Sequence, residues 1–446
     1  MSDGVASPVL DISPTRPLLD EQLAVRVTGI DSGDRVTLRV RERHWDTVFE
    51  STATFEASDG TVDPSEDAPV DGAYRGVRPM GLFQFMREAE ESVGFTPDSG
   101  SIDPADDGTD ELTFPGRIRA TVDGTVVDEA ASERVVRPPE VTKRDLDHPE
   151  LVGHRYLPAG DGPHPGVVWF GGSEGGYPGE VVASLLAARG YAVLGLAYFG
   201  IEGLPDHLVD VPVEYFERAV EWFGDREGVR SEPLGVMSVS RGSEMALWLG
   251  AKRPEVRTVV ARAPSDVLYG GIWTGKPDEW APPGAAWTRD GDPLSHVPVE
   301  TGLTDTLRWV WRGLRGKTVD ISHTYEDGRE SVADDRLAAA TLPVEETDGP
   351  VLLVSGEDDR LWPSTRMAEN IGQRLDERGY DHRLEHCRYP DAGHAISAPY
   401  RPVVGRETSE FVFGSDLALG GTPDGYADAD ADSWSAVLDV LDDGLR

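Results

Sequence analysis

Cysteine is almost missing from this chain of 446 residues, where Cys387 stands alone. One thiol excludes an internal disulfide framework and a thiolate metal cluster. Lysine is nearly as scarce: Lys143, Lys252, Lys276 and Lys317 are the only ones, so 38 of the 42 basic residues are arginine. Long apolar runs are absent too. The longest, Val181 to Gly200, is broken by Arg189-Gly190 and reads as helix, turn and buried strand, not as a membrane span. Met1-Ser-Asp-Gly-Val-Ala-Ser-Pro8 has neither the basic start nor the apolar stretch of a signal peptide, so a soluble, cytoplasmic protein is expected. There is no His-Glu-x-x-His, Cys-x-x-Cys or paired histidine set. No metal and no cofactor are expected.

Acid is abundant. Asp and Glu number 81, and the formal net charge is −39. Surplus carboxylate with little lysine suits a cytoplasm of molar salt, where the Debye length falls to roughly 3 Å and repulsion between surface acids is screened. A halophile's protein is expected. The rival reading, an acidic surface that selects a basic partner, is weaker because the acids run along the whole chain and form no tail. Nucleic acid is excluded as a partner at this charge.

The length exceeds what one hydrophobic core organises, and the chain changes grammar part-way. From about Leu10 to Val136, segments such as Gln22–Gly29, Arg35–Arg41, Gly116–Val122 and Thr125–Asp128 alternate apolar and polar residues between turns such as Asp31-Ser-Gly33 and Val122-Asp-Gly124. That pattern predicts a small antiparallel β-sandwich over residues 1–140. Asp59–Ala73 and Pro97–Thr109 read as acidic loops. After Arg137-Pro-Pro-Glu140, short apolar runs (Gly166–Phe170, Ala192–Ala197, Leu234–Val239, Thr258–Ala261, Val351–Ser355) alternate with helical stretches (Gly179–Ala188, Val213–Trp222, Ser243–Lys252, Ser364–Arg378). Such alternation predicts an α/β domain over 141–446 with a doubly wound, mainly parallel sheet. Residues 264–347, rich in Trp, Gly and Pro, break the rhythm and read as an insertion above the sheet.

Within that frame, Ser238-Val-Ser-Arg-Gly242 sits between a strand and a helix. This is the nucleophile-elbow pattern of an α/β-hydrolase, with Ser238 where the first glycine belongs and Ser240 as nucleophile. Gly356-Glu-Asp-Asp359 ends a later strand. Asp359, with Pro363 beyond it, is preferred over Asp358 as the acid that orients a histidine. Tyr389-Pro-Asp-Ala-Gly-His394 follows a strand around Asp381–Glu385, and Gly393 is expected to bring the loop close to the elbow. The order Ser240, Asp359, His394 is the one this fold requires. Phe170-Gly-Gly-Ser-Glu-Gly-Gly176 follows the first core strand; Gly172 and Ser173 are candidates for one arm of an oxyanion hole, with the N–H of Arg241 as the other. The loop lacks the endings and spacing of a nucleotide cradle.

Together these strings resemble the acyl-CoA thioesterase and bile acid-CoA:amino acid N-acyltransferase family. The likeness spans nearly the whole chain. Arg78-Pro-Met-Gly-Leu82 is similar to a motif of its N-terminal domain, and Leu194–Phe199 with Leu204-Pro205 and Glu214–Val220 to the stretch before its nucleophile. Tyr389–His394 with Pro399-Tyr400 resembles its histidine loop, and Gly420-Gly-Thr-Pro423 with Trp434 its C-terminal end. The resemblance implies hydrolysis of acyl-CoA thioesters, with Ser240, Asp359 and His394 on the triad. The N-acyltransferase branch uses cysteine as nucleophile, where this chain has Ser240; Cys387 lies outside the elbow and is expected to be a buried small residue. Arg241 stands where many members have lysine. The alternatives are a carboxylesterase or dienelactone-hydrolase-like enzyme, an acyl-CoA:amino acid N-acyltransferase, and a non-catalytic relic, against which the intact triad speaks. Arg308-Trp-Val-Trp-Arg-Gly-Leu-Arg-Gly-Lys317 is a basic, tryptophan-bearing run inside the insertion. Arg308, Arg312 and Arg315 are candidates for the phosphates of coenzyme A, against the plainer reading of a solvated helix face.

Overall fold

The computed structural model describes residues 7–90, 111–272, 284–299, 302, 305, 309, 311–312, 315–410 and 416–446. They form two compact units. One is Met1–Glu140 with Ala398–Gly405; the other is Val141–Ser397 with Arg406–Arg446. The Pro97–Thr109 loop lies outside the described residues.

In the first unit, strand Arg35–His44 pairs antiparallel with Thr47–Glu56 and with Leu112–Val122, which pairs in turn with Thr125–Arg137. Val9–Ser13, Ala24–Thr28 and Thr61–Val62 form a second, three-stranded sheet. Alternate side chains are buried, as a half-covered strand requires. Asp123 and Gly124, at φ 45° and 82°, make the two-residue turn that this dipeptide favours. Deep inside, Arg134 donates from Nε to Glu42 Oε2 at 2.8 Å, and Glu42 also bonds the ring of His44. Arg134 Nη1 reaches the carbonyl of Tyr400 at 2.6 Å, which ties the returning segment to the sandwich. Burial pushes the Glu42 carboxyl up, but the charge and hydrogen bonds of Arg134, with those of His44, outweigh it and hold it at about 2.

The second unit is built on eight strands: β1 (Thr142–Asp145), β2 (Val152–Leu157), β3 (His164–Phe170), β4 (Ala192–Ala197), β5 (Val229–Val239), β6 (Val256–Arg262), β7 (Val351–Gly356) and β8 (Leu384–Tyr389). Their order is β1-β2-β4-β3-β5-β6-β7-β8. The first two pair antiparallel and the rest are parallel. Helices α1 (Glu180–Ala188), α2 (Val213–Gly224), α3 (Arg241–Lys252), α4 (Ser364–Arg378) and α5 (Pro423–Leu445) complete it. Both faces are covered, which explains why the central strands carry continuous apolar runs. Leu234 and Val236 join a cluster with Phe216, Val220, Met245 and Leu249, whereas Gly235 faces Leu441 and Leu445 of α5. This is the doubly wound α/β-hydrolase sheet that the alternation predicts.

Five details depart from expectation. Asp59–Ala73, expected as a loop, contains the short strands Thr61–Val62 and Asp71–Gly72, which its few apolar residues do not announce. Ala398–Gly405, expected in the domain over 141–446, belongs to the first unit. The strand expected at Asp381–Glu385 lies at Leu384–Tyr389, because the apolar pattern there is weak and the edge strand is only half-buried. The edge pair β1–β2 has no counterpart in the sequence reading, and neither has α5. That helix is hidden by Ala-Asp repeats, yet it starts with Thr422 accepting the Gly425 N–H at 3.0 Å and Pro423 in its first turn. In the insertion, helices Ser322–Ser331 and Asp334–Ala340 are described, and isolated bridges pin Val267 to Thr341 and Tyr269 to Val297.

Candidate active site

The turn from β5 to α3 holds Ser240 at φ 55° and ψ −130°, a strained conformation for a residue with a side chain. The turn is tight enough that a methyl group on Gly242 would lie 2.1 Å from the Gly171 carbonyl oxygen, so only glycine fits. Ser238 is more than a small replacement for glycine. Its hydroxyl donates to the carbonyls of Phe170 (2.8 Å) and Gly171 (3.3 Å), tying the elbow to the loop after β3.

The structure brings Ser240, His394 and Asp359 together. His394 Nε2 is 2.9 Å from Ser240 Oγ, and His394 Nδ1 is 2.8 Å from Asp359 Oδ2. With Nδ1–H donating to the carboxylate, Nε2 is left to accept the serine proton. Asp359 is fixed by the N–H groups of Leu361 (3.0 Å) and Trp362 (3.2 Å) and by the Ser364 hydroxyl (2.6 Å). Asp358 points elsewhere, accepting the Gly421 N–H at 2.9 Å and pairing with Arg360. Gly393 is needed for a close approach, but not the expected one. A methyl group there would strike the Leu419 carbonyl oxygen at 2.3 Å. The histidine loop is thus cradled by Leu419–Gly421, whose glycines have φ 76° and 78° and whose Gly421 could not carry a methyl within 2.4 Å of the Gly393 nitrogen.

Of the residues expected as oxyanion donors, Arg241 follows Ser240 directly, and a methyl group on Gly172 would lie 2.9 Å from Ser240 Cβ. The Arg241 N–H, first of α3, has no acceptor among the described residues. The Gly172 N–H donates to Glu174 Oε2 at 2.9 Å. Ser173 is half-buried and makes no hydrogen bond among the described residues. The Tyr198 hydroxyl donates to the Gly172 carbonyl and, at 3.2 Å, to that of Gly171. Burial, then the charge of Glu174, pushes the Tyr198 phenol well above its ordinary value, so it remains a donor.

Two family models match the chain: "Acyl-CoA thioester hydrolase/BAAT N-terminal region" over residues 20–148 and "BAAT / Acyl-CoA thioester hydrolase C terminal" over residues 211–446. The chain belongs to the acyl-CoA thioester hydrolase/BAAT family. Mouse acyl-coenzyme A amino acid N-acyltransferase 1 is 29% identical over 95% of each chain. Human acyl-coenzyme A thioesterase 1 is 28% identical over 94% of this chain and 92% of its own. Among solved structures, the acylaminoacyl peptidase of Pyrococcus horikoshii is similar over 99% of this chain and 62% of its own, with 12% identity and a TM-score of 0.38.

In this family member the side chain of Arg241 has a second task that the sequence does not announce. It is buried, and its Nη atoms donate to the carbonyls of Tyr269 and Gly270 in the insertion, both at 2.9 Å. Its Nε lies 2.7 Å from Glu244 Oε1, and Glu244 Oε2 accepts the Trp287 indole N–H at 2.6 Å. Burial lifts the Glu244 carboxyl above its ordinary value, and Arg241 opposes that lift. A lysine, with one compact ammonium, cannot span these acceptors. An arginine one residue past an elbow serine is the only hint the sequence offers.

The described residues cover only part of the basic run. Arg308 lies outside the described residues. Arg312 spends its Nε on the Thr318 carbonyl at 2.7 Å, and Arg315 lies 3.8 Å over the ring of the exposed Trp311. Cys387 is half-buried on edge strand β8, not fully buried as expected, because an edge strand is covered on fewer sides. Burial pushes its thiol up to about 11, the wrong direction for a nucleophile. Among the described residues no group of three or more His, Cys, Asp or Glu could hold a metal ion, and no helix is long and apolar enough to cross a membrane.

Proposed function

We propose that this chain hydrolyses acyl-CoA thioesters through an acyl-enzyme on Ser240. The observation that carries the proposal is the Ser240–His394–Asp359 chain of hydrogen bonds at 2.9 and 2.8 Å, set on a strained elbow in a family of acyl-CoA enzymes. Ser240 Oγ attacks the thioester carbonyl as its proton passes to His394 Nε2, and Asp359 steadies the imidazolium. The oxyanion that forms meets the N–H groups of Arg241 and Gly172. Collapse breaks the C–S bond, and the sulfur leaves with the proton from His394. Water then gives a proton to His394 and attacks the acyl-enzyme. The second collapse releases the free acid and returns the proton to Ser240.

Ser240→Ala is expected to leave the far-UV spectrum unchanged and to lower kcat on an acyl-CoA by about three orders of magnitude or more. Covalent labelling by a fluorophosphonate should vanish with it. Labelling that survives Ser240→Ala but not Ser238→Ala sinks the assignment. Adding glycine or taurine to the assay separates hydrolysis from the transfer named in the N-acyltransferase relatives: the proposal expects free acid, and an amide product overturns it.

A further inference from the structure

Gly172 is placed to donate its N–H to a developing oxyanion, yet that N–H already has an acceptor, the Glu174 carboxylate at 2.9 Å. The carboxylate lies across the glycine pair. A methyl group on Gly171 would fall 2.1 Å from Glu174 Oε1, and one on Gly172 would fall 3.1 Å from Oε2 and 2.9 Å from Ser240 Cβ. One small group thus separates the carboxylate from the nucleophile. Two negative charges cannot share one N–H at that range without strong repulsion.

We propose that Glu174 is the resting occupant of the Gly172 arm of the oxyanion hole, and that the substrate's carbonyl oxygen must take its place for reaction to occur. This rests on the reading of Ser240 as nucleophile and Gly172 as oxyanion donor. Three features suit the exchange. Glu174 is exposed, so its side chain can swing into water at little cost. The direction of the Gly172 N–H does not depend on Glu174, because Tyr198 grips the carbonyls of Gly171 and Gly172 while Ser238 holds those of Phe170 and Gly171. The other arm, the Arg241 N–H, has no acceptor among the described residues and can begin the capture of the carbonyl. A buried N–H aimed at an empty hole also leaves a donor unsatisfied and attracts any small anion. A tethered carboxylate satisfies it between turnovers and keeps free anions out through its high local concentration.

The test measures the rate of fluorophosphonate labelling, since the phosphonyl oxygen enters the same hole. Glu174→Ala should raise the second-order labelling constant and kcat/KM on an acyl-CoA by about threefold to thirtyfold, as expected when a partly exposed charge-assisted hydrogen bond no longer competes. Glu174→Gln, which keeps an acceptor without the charge, should fall between Ala and wild type. Sodium acetate should inhibit Glu174→Ala competitively at concentrations that leave the wild type unaffected, a response that a merely structural role would not produce. Unchanged or slower labelling of Glu174→Ala, or equal acetate sensitivity of both proteins, overturns the inference while leaving Ser240 in place. Absence of labelling in the wild type, or its persistence in Ser240→Ala, overturns the reading of Ser240 itself and this inference with it.

Discussion

Each unit buries a carboxylate bonded to a histidine, and the two pairs are built differently. In the sandwich, Glu42 bonds His44, and Arg134 takes up both carboxylate oxygens. His44 stacks on Phe114 with centroids 3.9 Å apart, and burial lowers its tendency to charge. Among the described residues no hydroxyl bonds the far nitrogen of that ring. In the hydrolase unit, Asp359 is surrounded by neutral N–H and hydroxyl donors, and the far nitrogen of His394 faces Ser240. A buried acid–histidine pair is therefore not in itself a site. What separates them is whether the acid is neutralised by a cation and whether the second ring nitrogen faces a hydroxyl.

The comparison breaks most sharply at the two acids. Asp359→Asn is expected to lower kcat by about three to four orders of magnitude while the melting temperature hardly moves, because the wrong imidazole tautomer is then favoured. Glu42→Gln should do the reverse, keeping kcat but costing about 3–5 kcal/mol of stability, because Arg134 is left as an uncompensated buried charge. Steady-state kinetics beside chemical denaturation of both variants decides the matter; a large kcat loss in Glu42→Gln would erase the distinction. Acid titration sharpens it. The folded Glu42 carboxyl lies at about 2, below its ordinary 4.5, so its contribution of roughly 3 kcal/mol is present above 4.5 and fades as pH falls toward 2. Glu42→Gln should flatten the stability curve in that window.

The difference between the two pairs is only half legible in sequence. Ser240, Asp359 and His394 can be found because each sits at a strand end with a turn residue that the fold demands, and because their order is restricted. The α/β alternation is legible because buried parallel strands need unbroken apolar runs. Glu42 and Arg134 are 92 positions apart and look like two more charges on alternating strands; only the register of the sheet brings them together. The same holds for Glu174, which reads as one acid in a glycine-rich loop until the backbone turns its carboxylate onto Gly172. Helix α5 escapes because its first half buries Tyr426, Ala429, Ser433 and Trp434 scattered among aspartates; only the second half, with Val437, Val440, Leu441 and Leu445, carries an apolar helical period, too short to mark the whole helix.

A smaller effect is expected at the buried pair beside the elbow. Arg241 offers the backbone N–H proposed as an oxyanion donor and holds the Tyr269–Gly270 carbonyls with its side chain, so a change in the side chain should reach the N–H. Arg241→Lys keeps the charge against Glu244 but loses the fork. The expected outcome is a fall of about tenfold in kcat with KM nearly constant, the signature of a contact made in the transition state alone. A change confined to KM, or a fall in thermal stability with kcat intact, would mean that the pair braces the insertion and does not tune the hole.

The smallest effect concerns Arg315 and Trp311. Their stacking, 3.8 Å from guanidinium to ring centroid, leaves an exposed cation on an exposed aromatic plane, and coenzyme A offers phosphates and an adenine ring to such a surface. Arg312 is less available, since Nε is already bonded to Thr318. If the platform meets the coenzyme, Arg315→Ala should raise KM for an acyl-CoA about threefold and leave a short p-nitrophenyl ester unaffected, because that ester carries neither phosphate nor adenine. Arg312→Ala should show the weaker split of the two. The rise should shrink in high salt, as interactions between exposed charges do. Equal effects on both substrates, or none on either, return the run to a solvated helix face and leave coenzyme recognition to other residues.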